Sequence, residues 1–189
     1  MNFSMMYPEG LLSEDDLRQI AVEIRKYGAA FDARAMPSEP QMAVKELVAP
    51  IVMGLTSDGF LISLAAAAAY DIIKSTVLFV WEQMSGKIIT YLYAGGVTIK
   101  HPVSMDLMVS IDDRSTVRIK LEGDLPVELR DTYLTQAINL VRQTDFNKHH
   151  GEHVVIYDAR ACKSQIYTQN DFIEKYLMNE EDQADGANS

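Results

Sequence analysis

The stretch from Ser57 to Met84 constrains the fold of this chain more than any other part of the sequence. It is the longest apolar segment, contains no proline, and includes five consecutive alanines, Ala65 to Ala69. A helix of about 27 residues would be roughly 40 Å long. Because most of its circumference would be apolar, such a helix is normally buried. We therefore predict a long central apolar helix against which the other elements pack.

A narrow polar side interrupts the apolar surface of this predicted helix. Asp71 and Lys74 lie three residues apart, a spacing at which opposite charges can pair on a helix. Trp81 falls on the same side. These residues either form a buried polar site or helix–helix contact, or line the one solvated edge of a buried helix. We take Asp71, Lys74 and Trp81 as the predicted interaction residues.

The segments on either side of this helix predict amphipathic helices and strands. Residues 13–28 and 126–143 show helical apolar periodicity, and 40–53 is a further helix candidate. Residues 105–121 alternate as a hairpin with one apolar face, and the other face is expected to meet water or a partner. We predict an α+β fold. An antiparallel sheet of four to five strands, most of it from residues 87–121, packs against the central helix and two to three amphipathic helices.

Three segments make up the predicted domain organisation. Residues 1–12 look like a loose lead-in, 13–178 form a single α+β domain, and 179–189 form a disordered acidic tail. Within 29–39, Phe31, Ala33 and Ala35 alternate with Asp32 and Arg34, a pattern compatible with a short strand.

Charge and cysteine content limit the compartment and the partners. The net charge is -10 among 189 residues, which disfavours nucleic acid and anionic membrane surfaces as partners. Cys162 is the one cysteine, which fits a reducing compartment. The first ten residues contain no Lys or Arg and no apolar run, so we expect no secretory signal and a cytoplasmic location.

The densest group of candidate metal ligands is His149, His150, Glu152 and His153. Three imidazoles and a carboxylate within five residues have the donor atoms to hold zinc. However, Gly151 interrupts any helix that would align His149 with His153, and the other interpretation is a polar loop. No zinc or other cofactor is required by the sequence. The phosphate-binding, HExxH and GxSxG motifs of the common enzyme families are missing.

One resemblance covers about half of the chain. The order of a Gly/Ala-rich apolar helix, an antiparallel hairpin and an amphipathic helix resembles small companion proteins of bacterial conflict systems. The segments that carry it are Gly59 to Ile73, Met105 to Leu121 and Pro126 to Val141. The resemblance implies a bacterial protein that acts through a protein partner.

The leading functional hypothesis is a non-enzymatic cytosolic interaction or assembly protein that self-associates or belongs to a larger complex. The predicted helix is longer than a domain of this size needs, and the chain contains ten methionines. One alternative is a metal-dependent enzyme that uses residues 149–153. Another is a membrane-active protein that acts through the 59–84 helix. A constitutive span is disfavoured because Asp71 and Lys74 would each cost about 2.5–3.5 kcal/mol at the bilayer centre.

Overall fold

The structure is a computed structural model that describes residues 1–37, 50–56, 67–92, 98–146, 148 and 150–177. Within these ranges it has nine strands: β1 (Asn2–Pro8), β2 (Ala30–Met36), β3 (Ile51–Thr56), β4 (Ile88–Leu92), β5 (Thr98–Pro102), β6 (Met105–Ser110), β7 (Ser115–Leu121), β8 (Gly151–Asp158) and β9 (Lys163–Thr168). The helices are α1 (Glu14–Lys26), α2 (Ala67–Gln83), α3 (Val127–Gln143) and α4 (Gln169–Phe172), which continues into a π-helical turn at Ile173–Leu177.

Seven strands form one mixed sheet in the order β2-β1-β3-β6-β7-β8-β9. Three neighbouring pairs are parallel, namely β1 with β2, β3 with β6, and β7 with β8. Where these pairs adjoin, β1 is antiparallel to β3 and β6 is antiparallel to β7. Parallel neighbours require a crossover connection, and among the described residues each of the three connections contains one helix. Strands β4 and β5 pair only with each other among the described strands, and we call them the ribbon.

The main hydrophobic core lies between one face of the seven-stranded sheet and the three helices α1, α2 and α3. On the sheet side, alternate residues of the central strands are buried, for example Met53, Leu107 and Ile119. Register places Met53 beside Leu107, and Leu107 beside Ile119. Period-two alternation thus brings an apolar row from each strand onto the same face. The helices contribute fully buried residues, such as Ile24, Trp81 and Leu134.

Helix α1 begins where the sequence predicts. The Ser13 hydroxyl accepts from the Asp16 backbone N–H at 3.1 Å, and the Asp16 carboxylate accepts from the Ser13 N–H at 2.9 Å. This reciprocal pair is a capping box, which satisfies donors that the first turn leaves without helical partners. The β6–β7 hairpin and helix α3 also lie within the segments predicted for them.

The fold is α+β, but the prediction of a four- to five-stranded antiparallel sheet and a long central helix is wrong. The sheet is mixed and has seven strands rather than four or five, because β1, β2, β3, β8 and β9 join the β6–β7 hairpin, while β4 and β5 form a separate pair. Among the described residues there is no long central helix, since α2 runs over the 17 residues from Ala67 to Gln83. The first part of the predicted helix, 57–66, lies outside the described residues.

Two shorter segments also differ from the sequence interpretation. Residues 2–8, taken as a loose lead-in, form β1 in the interior of the sheet, with Phe3 and Met5 buried. Residues 51–53, placed at the end of a helix, belong to β3. The rest of that predicted helix and the predicted acidic tail lie in 38–49 and 178–189, outside the described residues.

Gly123 follows β7 at a point where the backbone passes close to that of Val103, just before β6 begins. This close approach requires glycine. A Cβ atom at residue 123 would lie 2.1 Å from the Val103 carbonyl oxygen. We predict that Gly123→Ala lowers the free energy of unfolding by about 1–3 kcal/mol, because the backbone must shift to relieve the overlap. Urea unfolding followed by circular dichroism measures the effect. The neighbouring exposed variant Asp124→Ala is the control, and equal stability of the two variants would contradict the prediction.

Candidate functional site

The histidine-rich segment leads into β8, where its side chains point to both faces of the sheet. His150 is exposed, and His149 lies outside the described residues. Glu152 and His153 are consecutive residues of β8, so strand alternation directs them to opposite faces. His153 is buried, its ring lies 5.1 Å from that of Phe146, and its Nδ1 is 3.3 Å from the Gly151 carbonyl oxygen. The structure therefore does not bring these two predicted ligands together.

Within the part of the chain that the structure describes, no group of three or more His, Cys, Asp or Glu side chains is arranged to hold a metal ion. His149 lies outside those residues. The zinc site at His149, His150, Glu152 and His153 stays a prediction from sequence. The geometry favours a structural role for the two residues in β8, one in the core and one in an ion pair.

The predicted interaction residues on α2 have three different environments. Asp71 is exposed, and Lys74 forms an ion pair with Asp131 of α3, in which Nζ and the carboxylate oxygen are 2.8 Å apart. Trp81 is completely buried, and its ring meets that of Tyr133 edge to face at 6.0 Å. The polar side of α2 thus faces α3 over part of its length. Trp81 belongs to the core of the fold rather than to an exposed contact.

Arg130 holds the ends of several elements together beside Trp81. It donates to the carbonyl oxygens of Leu125 and Gly123 at 3.0 and 3.3 Å, and to the Ser85 hydroxyl at 3.1 Å. Its guanidinium lies 5.0 Å from the centre of the Trp81 ring, in cation–π geometry. A guanidinium has five N–H donors in a fixed plane, so it can donate to several carbonyl groups at once. These contacts explain Arg130 as a structural residue.

A row of charged side chains crosses the face of the sheet opposite the main core. Arg118 of β7 lies between two carboxylates: it is 3.8 Å from Asp106 of β6 and in ionic contact with Glu152 of β8. Lys120 is opposite Asp106 in the register. Asp106 is only 1% exposed and Lys120 8% exposed. The alternation in the hairpin predicted this polar face but assigned it to water or a partner, whereas these two residues are buried.

The short helix α4 covers the β8–β9 end of the same face. Phe172 is buried, and the Lys120 ammonium lies 5.6 Å from the centre of its ring. At the opposite end, the outward residues of β1 and β2 are exposed, including Ser4, Asp32 and Arg34. This face of the sheet is therefore covered near β8 and β9 and exposed to solvent near β1 and β2.

The ribbon is the most exposed paired structure described. Its exposed residues are Ile88, Thr90, Thr98, Ile99, Lys100 and Pro102. Ile88 is 60% and Ile99 41% exposed. The base of the ribbon is attached to α1 because Lys87 forms a 3.0 Å ion pair with Asp16. The pKa of the Asp16 carboxyl is lowered, chiefly by the hydrogen bond from the Ser13 N–H and next by the hydrogen bond from the Lys87 ammonium. The ribbon is thus held at its base and leaves apolar side chains in water.

Comparison with known proteins identifies no relative. No protein-family model, no curated protein and no solved structure matches the chain. Among the described residues, no helix has the length and apolar character needed to cross a membrane.

Proposed function

We propose that this chain is a non-enzymatic, cytosolic interaction or assembly protein, which self-associates or forms part of a larger complex. The observation that supports the proposal best is the ribbon. The ribbon packs on the main core through Ile89, but Ile88 and Ile99, which lie on opposite faces of the ribbon, expose apolar surface to water. Coverage by another protein would remove that surface from water and stabilise the pairing.

The geometry of the titratable side chains agrees with a binding role. Buried and half-buried polar side chains near the core have structural partners. His153 packs on Phe146, Arg130 holds carbonyl groups, and Arg118 joins two carboxylates. The resemblance of the sequence to small companion proteins of bacterial conflict systems supports a bacterial cytosol as the location of the proposed complex.

We expect the double variant Ile88→Asp with Ile99→Asp to lose partner binding about tenfold, because buried apolar anchors carry much of the affinity of an interface. The assay uses the full chain as bait in host-cell extract, with captured proteins quantified by mass spectrometry. Light scattering of the same preparations gives the mass in solution, to be compared with the 21.2 kDa chain.

The matched control is Val22→Asp, which places the same charge at a side chain of α1 that is 50% exposed. The control should bind like the unmodified protein, and all variants should unfold at similar urea concentrations because the altered residues are exposed. A clean monomer with no captured protein would overturn the proposed function. Equal capture by both variants would overturn the role of the ribbon.

A further inference from the structure

Strand β2 forms one edge of the seven-stranded sheet, and its one strand neighbour among the described residues is β1. Edge strands carry backbone groups that can pair with a further strand. Asp32 and Arg34 are two residues apart in β2 and therefore lie on the same face of the sheet. Both side chains are exposed. An edge with one acid and one base on the same face has charge complementarity to an antiparallel copy of itself.

The hydrogen bonds to β1 fix which backbone groups of β2 point outward. The Ala30 N–H donates to the Met1 carbonyl oxygen at 3.2 Å, and the Met36 carbonyl oxygen accepts from the Glu9 N–H at 2.9 Å. Residues 30 and 36 therefore direct their backbone groups toward β1. Since this direction alternates along a strand, Phe31, Ala33 and Ala35 direct their N–H and C=O groups toward the outer edge.

We propose that β2 pairs with β2 of a second copy, antiparallel, about a two-fold axis at Ala33. In this register Ala33 is opposite itself and Phe31 is opposite residue 35 of the second copy. All of these residues have outward backbone groups, so they form the hydrogen-bonded pairs. Asp32 is then opposite Arg34 of the second copy, twice by symmetry. These are the non-hydrogen-bonded positions, where Cα atoms are about 4.5 Å apart and side chains lie closest.

The charges select this register over its neighbours. A two-fold axis at residue 32 would place Asp32 against Asp32, and an in-register parallel pair would do the same. Only the antiparallel arrangement centred on Ala33 gives two opposite-charge pairs from one acid and one base. The interface is isologous and closes as a dimer.

The other edge of the sheet is less suited to the same contact. The Ser164 N–H in β9 donates to the side-chain oxygen of Gln136 on α3 at 3.0 Å. An edge donor that is already bonded to a side chain offers less to an added strand. The structure thus favours β2 over β9 as the edge that takes the second copy.

The inference rests on the self-association in the proposed function, and charge reversal tests it. Asp32→Arg places two like-charge pairs across the two-fold axis, as does Arg34→Asp. Each single variant should weaken the dimer roughly tenfold by light scattering or sedimentation, since both cross-strand charge pairs then become repulsive. An equimolar mixture of the two single variants should form a heterodimer, because each Arg then meets an Asp. The Asp32→Arg, Arg34→Asp double variant should restore the homodimer.

The matched control reverses the exposed Asp15–Arg18 ion pair on α1, whose oppositely charged atoms are 3.1 Å apart. These reversals should leave dimerisation unchanged. Hydrogen exchange gives a second measurement: the amides of Phe31, Ala33 and Ala35 should gain protection as protein concentration rises.

Two outcomes overturn the inference and leave the proposed function intact. One is a dimer that neither single reversal weakens, with no heterodimer on mixing. The other is a monomer that still captures a different protein. A monomer that captures nothing overturns both. Formation of the heterodimer from the two charge variants, absent for the α1 control, supports the β2 pairing and its register together.

Discussion

Trp81→Ala is expected to lower the free energy of unfolding by about 3–5 kcal/mol, the usual range for removal of a buried tryptophan. Trp81 is completely buried between α2 and α3, and its indole N–H donates to the Glu122 carbonyl oxygen at 3.1 Å. The substitution removes an aromatic contact with Tyr133, a cation–π contact with Arg130 and this hydrogen bond together. The cavity lies where two helices meet the sheet, so collapse around it is restricted.

Urea unfolding monitored by circular dichroism measures this loss. Trp81→Phe is the informative comparison because it keeps an aromatic ring and removes the indole donor, and it should cost less than the alanine variant. Val22→Ala on the exposed side of α1 should change stability by less than about 0.5 kcal/mol. A loss below 1 kcal/mol (roughly a fivefold change in the folding equilibrium) for Trp81→Ala would show that the contact between α2 and α3 is not formed as described.

Arg118→Ala is the second large expected effect, at about 3 kcal/mol of destabilisation. Arg118 is the cation between Asp106 and Glu152 on the face opposite the main core. Asp106 is 1% exposed, so its carboxylate is largely removed from water. Removal of the cation leaves the buried carboxylate of Asp106 with less compensation than before. That imbalance, rather than the strength of either ion pair, accounts for the expected loss.

The control for charge itself is Arg18→Ala, which breaks the exposed pair with Asp15. Exposed ion pairs contribute between 0 and about 1 kcal/mol, so this variant should stay close to the unmodified protein. The double variant Arg118→Met, Glu152→Gln should recover part of the stability, because no charge remains at these two positions and Asp106 keeps Lys120 opposite it. Equal unfolding midpoints for Arg118→Ala and Arg18→Ala would contradict the role of Arg118 as a counter-ion of the buried Asp106.

Local patterns in the sequence were sufficient for several individual elements. Ser13 and Asp16 marked the first turn of α1, and their hydrogen bonds are those of a capping box. Alternation from Met105 to Leu121 identified the β6–β7 hairpin and its apolar face. Phe31, Ala33 and Ala35 alternated with Asp32 and Arg34 in the segment that forms β2. These signals are local because hydrogen bonds within a turn and side-chain periodicity depend on nearby residues.

One detectable signal was missed at the start of the chain. Phe3, Met5 and Tyr7 are buried and alternate with exposed Asn2, Ser4 and Met6. This is the same period-two pattern that identified the hairpin, over fewer residues and with a methionine on the exposed side. Recognition of β1 would have added an interior strand to the predicted sheet.

The sequence by itself determined the α+β class, the cap of α1, the hairpin and the amphipathic character of α3. Only the tertiary structure decided which strands are neighbours, that Trp81 is core and that the β6–β7 charges are buried. Strand order depends on crossovers that bring together residues far apart in sequence. Lys74 thus meets Asp131 rather than Asp71, and Arg118 meets Glu152 of β8 as well as Asp106 of its own hairpin. The edge position of β2, on which the dimer proposal depends, was likewise visible only once all seven strands were in place.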